Sequence, residues 1–125
     1  MIKKLGLVLS TVLFAIAAFA ITASSAAAAS YTVKMGSDTY QLKFEPSELT
    51  VSPGDTVKFQ NNKLAPHNIV FDQEPFKSLA MTSTKMLYSP TDSHSITIPE
   101  GASGEYSFYC SPHRGAGMVG KLTVQ

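Results

Sequence analysis

At 125 residues, with 10 basic and 9 acidic side chains and a single cysteine, the chain has room for one ordinary core. The near-neutral balance excludes the basic surface that nucleic-acid binding requires and leaves no strong overall field to steer partners. One cysteine cannot staple its own chain, which excludes the disulfide framework common in small exported domains.

The first segment reads as an address rather than as structure. Lys3 and Lys4 precede an uncharged, largely apolar run from Leu5 to Ile21, and Thr22–Ala29 is rich in Ala and Ser. A basic start, an apolar centre and a small-residue A-x-A site make a secretory signal peptide. Ala26 and Ala28 favour a cut after residue 28, and the same small-residue flank accommodates a cut one or two residues to either side. No arginine pair precedes the apolar run, so the general secretory route is expected. A permanent membrane anchor is the competing reading, but the run is slightly short for a spanning helix and its flank fits cleavage. Removal of residues 1–28 leaves 97 residues, 29–125, as one domain. Their basic residues number 8 against 9 acidic, so the formal charge moves from +1 to −1.

The remaining chain alternates like strands nearly throughout. Tyr31, Val33 and Met35 alternate with Thr32 and Lys34, Leu42 and Phe44 with Lys43, and Val57 and Phe59 with Lys58 after a Pro53-Gly54-Asp55 turn. His67–Phe71 is a short, mostly apolar run expected to start a buried strand at His67. Ile96 and Ile98 flank Thr97, while Tyr106, Phe108 and Cys110 share one parity, and Leu122 and Val124 close the chain. Period-two alternation bounded by Gly, Pro, Asp and Ser is the half-buried strand pattern. Several such strands in under about a hundred residues give an all-β sandwich or barrel. Only Pro75–Leu87 breaks the pattern, where a short helix or irregular loop is expected.

The same parity points the Cys110 sulfur inward, at a strand end before a loop containing Pro112, Gly115 and Gly117. That loop reads Cys110-Ser-Pro-His113-Arg-Gly-Ala-Gly-Met118, a C-x2-H-x4-M spacing. Taken singly, a buried Cys is a small hydrophobe, a loop His is polar surface, and a Met fills a core. Together they are thiolate, imidazole and thioether, the ligands of copper cycling between Cu(I) and Cu(II). A trigonal His2Cys site with a weak axial Met is the blue-copper arrangement. A second His is needed. His67 follows Pro66 and leads an apolar run, whereas His94 lies among Asp92, Ser93 and Ser95 and reads as a solvated strand edge. The ligand set is therefore read as His67, Cys110, His113 and Met118. Zinc is disfavoured, since structural zinc wants four Cys or His and Met suits it poorly. A thiol protease would need an orienting group and a cleft signature that the sequence lacks.

Beyond the ligands, Tyr109-Cys-Ser-Pro-His-Arg-Gly-Ala-Gly-Met-Val-Gly-Lys121 closely resembles the C-terminal copper loop of plastocyanins, the cyanobacterial ones above all. Asn61-Asn-Lys-Leu-Ala-Pro-His67-Asn-Ile-Val-Phe-Asp72 resembles the segment that supplies their first histidine. Val33–Asp38, Phe44-Glu-Pro46 and Pro53-Gly54-Asp55 resemble their N-terminal strands and a turn. The likeness covers nearly all of 29–125 and is weakest over Gln73–Ser95.

The resemblance implies an eight-stranded Greek-key β-sandwich of the cupredoxin type. It implies a non-enzymatic, monomeric carrier of single electrons, from cytochrome f to photosystem I. The place would be the thylakoid lumen, peripheral to the membrane. It puts an apolar patch of Leu42, Pro66, Pro112 and Gly115 around His113, gives Arg114 and Tyr109 to partner contact, and makes Asn68 a brace between the two ligand loops. The acidic patches of plant relatives would fall around Phe71–Ser89. There only Asp72 and Glu74 are acidic, with Lys77 and Lys85 nearby, so more weight falls on Arg114 and the apolar patch.

Three rivals remain. Pseudoazurins share the C-x2-H-x4-M spacing, so a periplasmic donor to a respiratory or denitrifying enzyme is the alternative. The Arg-Gly-Ala-Gly filling and the Pro-His-Asn-Ile-Val-Phe segment favour plastocyanin. A copper chaperone would prefer Met/His-rich or paired-Cys sites and lack the blue colour. A copper enzyme needs a second centre, which three histidines cannot build.

Overall fold

The computed structural model describes residues 27–125. The expected signal peptide, and with it the rival reading of an anchor, lies almost wholly outside the described residues. Among those, no helix is long and apolar enough to cross a membrane.

The alternating segments become β1 (Ser30–Met35), β2 (Phe44–Glu45), β3 (Glu48–Val51), β4 (Thr56–Asn61), β5 (Val70–Phe71), β6 (Ser93–Thr97), β7 (Gly104–Tyr109) and β8 (Val119–Val124). They form two four-stranded sheets, ordered β2-β1-β4-β6 and β3-β8-β7-β5. The chain crosses between the sheets at every connection from β2 to β7, so the two layers are built together. Each sheet also holds one parallel pair, β1 with β4 and β3 with β8. The all-β sandwich is thus the observed fold.

Parity decides the core. Val33 and Met35 of β1, Val57 and Phe59 of β4, Ile96 of β6, Phe108 of β7, and Leu122 and Val124 of β8 are all buried between the layers. Phe108 sits at the centre, with ring centroids 4.8 Å from Phe44, 5.5 Å from Phe59 and 5.2 Å from Phe71. Such tilted and edge-on contacts add to the burial of large apolar area. Gly120 lies opposite Phe108 in the β7–β8 ladder, and any Cβ there would overlap the ring.

One local expectation is met and two are adjusted. Pro75–Leu87 contains a single helical turn, α1 (Phe76–Leu79), anchored by buried Phe76, and is otherwise irregular. Leu42 lies outside β2, in a half-buried turn segment where backbone bonds from Gly36 and Ser37 reach Lys43 and Gln41. His67 does not begin a strand. Its N–H donates to Leu87 O at 3.1 Å and its carbonyl accepts from Leu87 N at 2.8 Å, an isolated bridge. Pairing of this segment with β7 starts only at Val70 opposite Tyr109.

Asp55 closes the turn before β4. Its carboxylate accepts backbone N–H groups of Ala29 at 2.8 Å and Ser52 at 2.9 Å, and these bonds hold its pKa below the ordinary value. A depressed folded-state pKa contributes stability above the unfolded value, about 3.9, and the contribution is lost as pH falls through the lower folded value. The gap in urea midpoint between the wild type and Asp55→Asn is therefore expected to be constant near neutrality and to shrink below about pH 4. A gap that grows on acidification would contradict this.

Candidate metal centre

The site lies where β7 ends. Cys110 follows Tyr109 with extended backbone, and Ser111–Ala116 then turns as a short 3-10 helix before β8 begins at Val119. The turn is closed from both ends: Cys110 N donates to Met118 O at 3.1 Å, and Met118 N donates to His113 O at 3.2 Å. Backbone bonds thus tie Cys110, His113 and Met118 to one another before any side-chain contact is considered.

His67 enters from the other sheet connection, pinned by its bridge to Leu87. Cys110 Sγ lies 3.7 Å from His67 Nδ1 and 3.5 Å from His113 Nδ1, and one ligand atom from each of the three residues falls within 4.8 Å of the others. A nitrogen at about 2.0 Å and a sulfur at about 2.3 Å from one first-row metal, roughly 110–120° apart, would be separated by roughly 3.5–3.7 Å. The Cys110 sulfur thus stands at ligand spacing from both imidazoles, and the two ring nitrogens, within 4.8 Å of each other, need only a small closing shift to share one ion with it. Met118 is fully buried on the same loop. His94 lies elsewhere: it sits in β6, half-buried, with Nε2 3.0 Å from Leu79 O.

Hydrogen bonds prepare each ligand. His67 Nε2 lies 2.6 Å from Lys63 O, a carbonyl that can only accept. The ring proton therefore sits on Nε2 and the Nδ1 lone pair faces the sulfur. Asn68, fully buried, donates through Nδ2 to Ser111 Oγ at 3.0 Å and Ser83 O at 3.2 Å, and its Oδ1 accepts Ser111 N–H at 2.8 Å. One side chain so joins the residue after His67 to the residue after Cys110.

Electrostatics suit a cation. Burial lowers the pKa of His67, more than the Lys63 bond raises it, and lowers that of His113. Both rings are thus neutral ligands near pH 7. Burial pushes the Cys110 thiol up, against backbone N–H bonds from Asn68 and His113 that favour the thiolate. A bound metal cation reverses that penalty and takes the sulfur as thiolate. Borderline and soft donors without any carboxylate select copper over magnesium or calcium.

The surface follows the ligands. His113 is half-buried, Pro112 and Gly115 are exposed, and Leu42 and Pro66 are half-buried. Exposed Leu64 and Val119 flank the two ligand loops and were not singled out in the sequence, where nothing distinguishes them from core residues. The Arg114 guanidinium stacks 3.9 Å from the centroid of the Tyr109 ring, and the Tyr109 hydroxyl is 3.5 Å from Asp72 Oδ1. Lys63 was also unmarked, because its contribution is a backbone carbonyl that carries no residue signal.

A β-sandwich with one buried thiol and two neutral imidazoles converging at one end defines a mononuclear copper protein of the cupredoxin class. A family model described as copper binding proteins of the plastocyanin/azurin family matches residues 31–125. The plastocyanin of Nostoc punctiforme is 43% identical, over 99% of this chain and 94% of its own length. That of Prochlorothrix hollandica is 44% identical over 98% and 94%. The oxidised plastocyanin of Dryopteris crassirhizoma superposes with a TM-score of 0.66 at 33% identity, covering 75% of this chain and 99% of the fern protein. The chain belongs to the plastocyanin/azurin family of copper-binding proteins, and its cofactor is copper. It is a blue-copper electron carrier.

Proposed function

We propose that residues 29–125, freed of a 28-residue signal peptide, carry single electrons from cytochrome f to photosystem I. The work is done in the thylakoid lumen, with copper held by His67, Cys110, His113 and Met118. The observation that carries this reading is the convergence of the Cys110, His67 and His113 ligand atoms at one end of the sandwich, with His113 half-exposed. The plastocyanin names of the Nostoc and Prochlorothrix relatives support the photosynthetic assignment.

When bound, copper supplies a one-electron couple, Cu(I)/Cu(II). The chain's part is to make its ligand geometry insensitive to that change. Lys63 O fixes the His67 ring, the Asn68 bridges lock the two loops together, and the backbone bonds among Cys110, His113 and Met118 hold the short loop. His113 is the route to a partner, since it is the ligand that reaches the surface. An apolar rim of Leu42, Pro66, Pro112 and Gly115 excludes water on contact without the area of a tight interface, as transient electron-transfer encounters require.

Met118 would complete the ligand set as a weakly bound thioether that tunes the copper potential. Met118→Gln is expected to keep copper and lower the reduction potential, measured by voltammetry of the loaded protein. An unchanged potential would speak against Met118 as a ligand.

Arg114 gives the rim its positive charge, and its stacking on Tyr109 presents both to a partner. Charge at a rim acts mainly on encounter rate and its salt dependence. In flash kinetics with photosystem I membranes, Arg114→Gln is expected to slow bimolecular oxidation, with a shallower ionic-strength dependence and an unchanged visible spectrum. The wild type must be oxidised by these membranes and reduced by cytochrome f. Inertness toward both would overturn the photosynthetic route while leaving the copper centre intact.

A further inference from the structure

We propose that Gly36 is a positioning residue for the copper centre. Its lack of a side chain lets the Lys63 carbonyl sit against His67 Nε2, which keeps Nδ1 free to face Cys110 Sγ. The proposal rests on the reading of His67 as a copper ligand.

Gly36 follows β1, is buried, and has φ +83°, a conformation that side chains of L-residues resist. Space at the same point is absent. A Cβ on Gly36 would overlap Lys63 O and lie 2.8 Å from the Lys63 carbonyl carbon and 3.0 Å from His67 Nε2. The Lys63 carbonyl is therefore wedged between the Gly36 α-carbon and the His67 ring.

Neither backbone is free to retreat. Met35 and Asn61, just before the two segments, are paired in the parallel β1–β4 ladder. Asn62 N donates to Met35 O at 3.0 Å, and Asn62 Nδ2 donates to Gly36 O at 2.9 Å and to Asp38 Oδ1 at 2.8 Å. On the far side Gly36 N donates to Lys43 O at 3.0 Å. A side chain at position 36 must displace the carbonyl or the imidazole. Either movement breaks the bond that fixes the His67 tautomer.

Nitrogen-15 NMR of the copper-free protein at about pH 8, above the ordinary imidazole range, reads this directly. Wild-type His67 is expected as the pure Nε2–H tautomer with a slowly exchanging ring proton. Gly36→Ala is expected to mix the tautomers and speed that exchange by about tenfold, as loss of one hydrogen bond implies. Its copper form should show a shifted charge-transfer band and potential. Gly101→Ala is the control: Gly101 has φ +87° but nothing within 4 Å of its Cβ position, so it carries the backbone strain without the wedge. It should leave the His67 signals unchanged. Should Gly36→Ala fail to fold, Asn62→Ala loosens the same wedge without adding atoms, and faster His67 proton exchange is again expected. Unchanged His67 signals in the folded variant, or equal changes in Gly101→Ala, would overturn the proposal. Altered His67 signals in Gly36→Ala, alongside a wild type that never turns blue with copper, would instead leave the wedge standing and sink the ligand reading.

Discussion

Cys110→Ser is expected to abolish the intense visible absorption of the copper-loaded protein while leaving the sandwich folded. The band requires charge transfer from a thiolate, and a serine hydroxyl stays protonated and is a harder donor. The substitution removes no bulk that the core depends on. The serine oxygen can still accept the Asn68 and His113 backbone N–H groups that now point at the sulfur. Loss of outer-sphere partners alone costs about 10–100-fold in metal affinity, so removal of the sulfur ligand should cost at least roughly 100-fold. Visible absorption and competitive copper titration measure the two effects, and near-ultraviolet circular dichroism reports on the fold. A variant that stays blue would show that some other residue supplies the charge-transfer ligand.

Phe108→Ala is expected to be among the most damaging changes to stability. The ring is 2% exposed, contacts three other phenylalanines, and fills the space that Gly120 leaves open. Truncating a buried phenylalanine costs about 3–5 kcal/mol, the lost transfer energy plus the cavity left behind. Against a total stability of about 5–15 kcal/mol, that is a large fraction. Urea denaturation of the copper-free protein measures it. Tyr88→Ala, at a side chain 70% exposed, should change stability by no more than about 0.5 kcal/mol. A loss below about 1 kcal/mol for Phe108→Ala would mean the four-ring cluster relaxes to fill the gap. Because Phe108 lies near the end of β7, two residues before Cys110, such relaxation would also show as a change in the copper spectrum.

The sandwich and half of the site could be read from residue order because their physics is local. Period-two alternation marks inward faces directly, and it placed Val33, Phe59, Phe108 and Cys110 in the interior where the structure has them. Cys110 and His113 share one short loop that ends at Met118, so the meeting of the first two needs no knowledge of distant pairing. His67 was separable from His94 because Pro66 and the apolar run after it differ from the Asp and Ser around His94.

What escaped is what depends on long-range contact or on the backbone. The bridge that holds His67 uses Leu87, within a segment legible only as a helix or loop. The Lys63 carbonyl has no side-chain signature. The approach of Gly36 to Lys63 joins residues far apart in sequence through parallel pairing of β1 with β4, a register that alternation alone does not specify. The assignment of strands to two sheets was likewise invisible, because every inward face looks alike until its partner is known.

The central claim is that one copper ion, bound through the Cys110 thiolate, cycles by single electrons. The visible spectrum of the copper-loaded protein, recorded oxidised and then after ascorbate, tests it most directly. The account predicts an intense blue band in the oxidised form that bleaches fully on reduction and returns on reoxidation. A colourless or weakly coloured protein would contradict it.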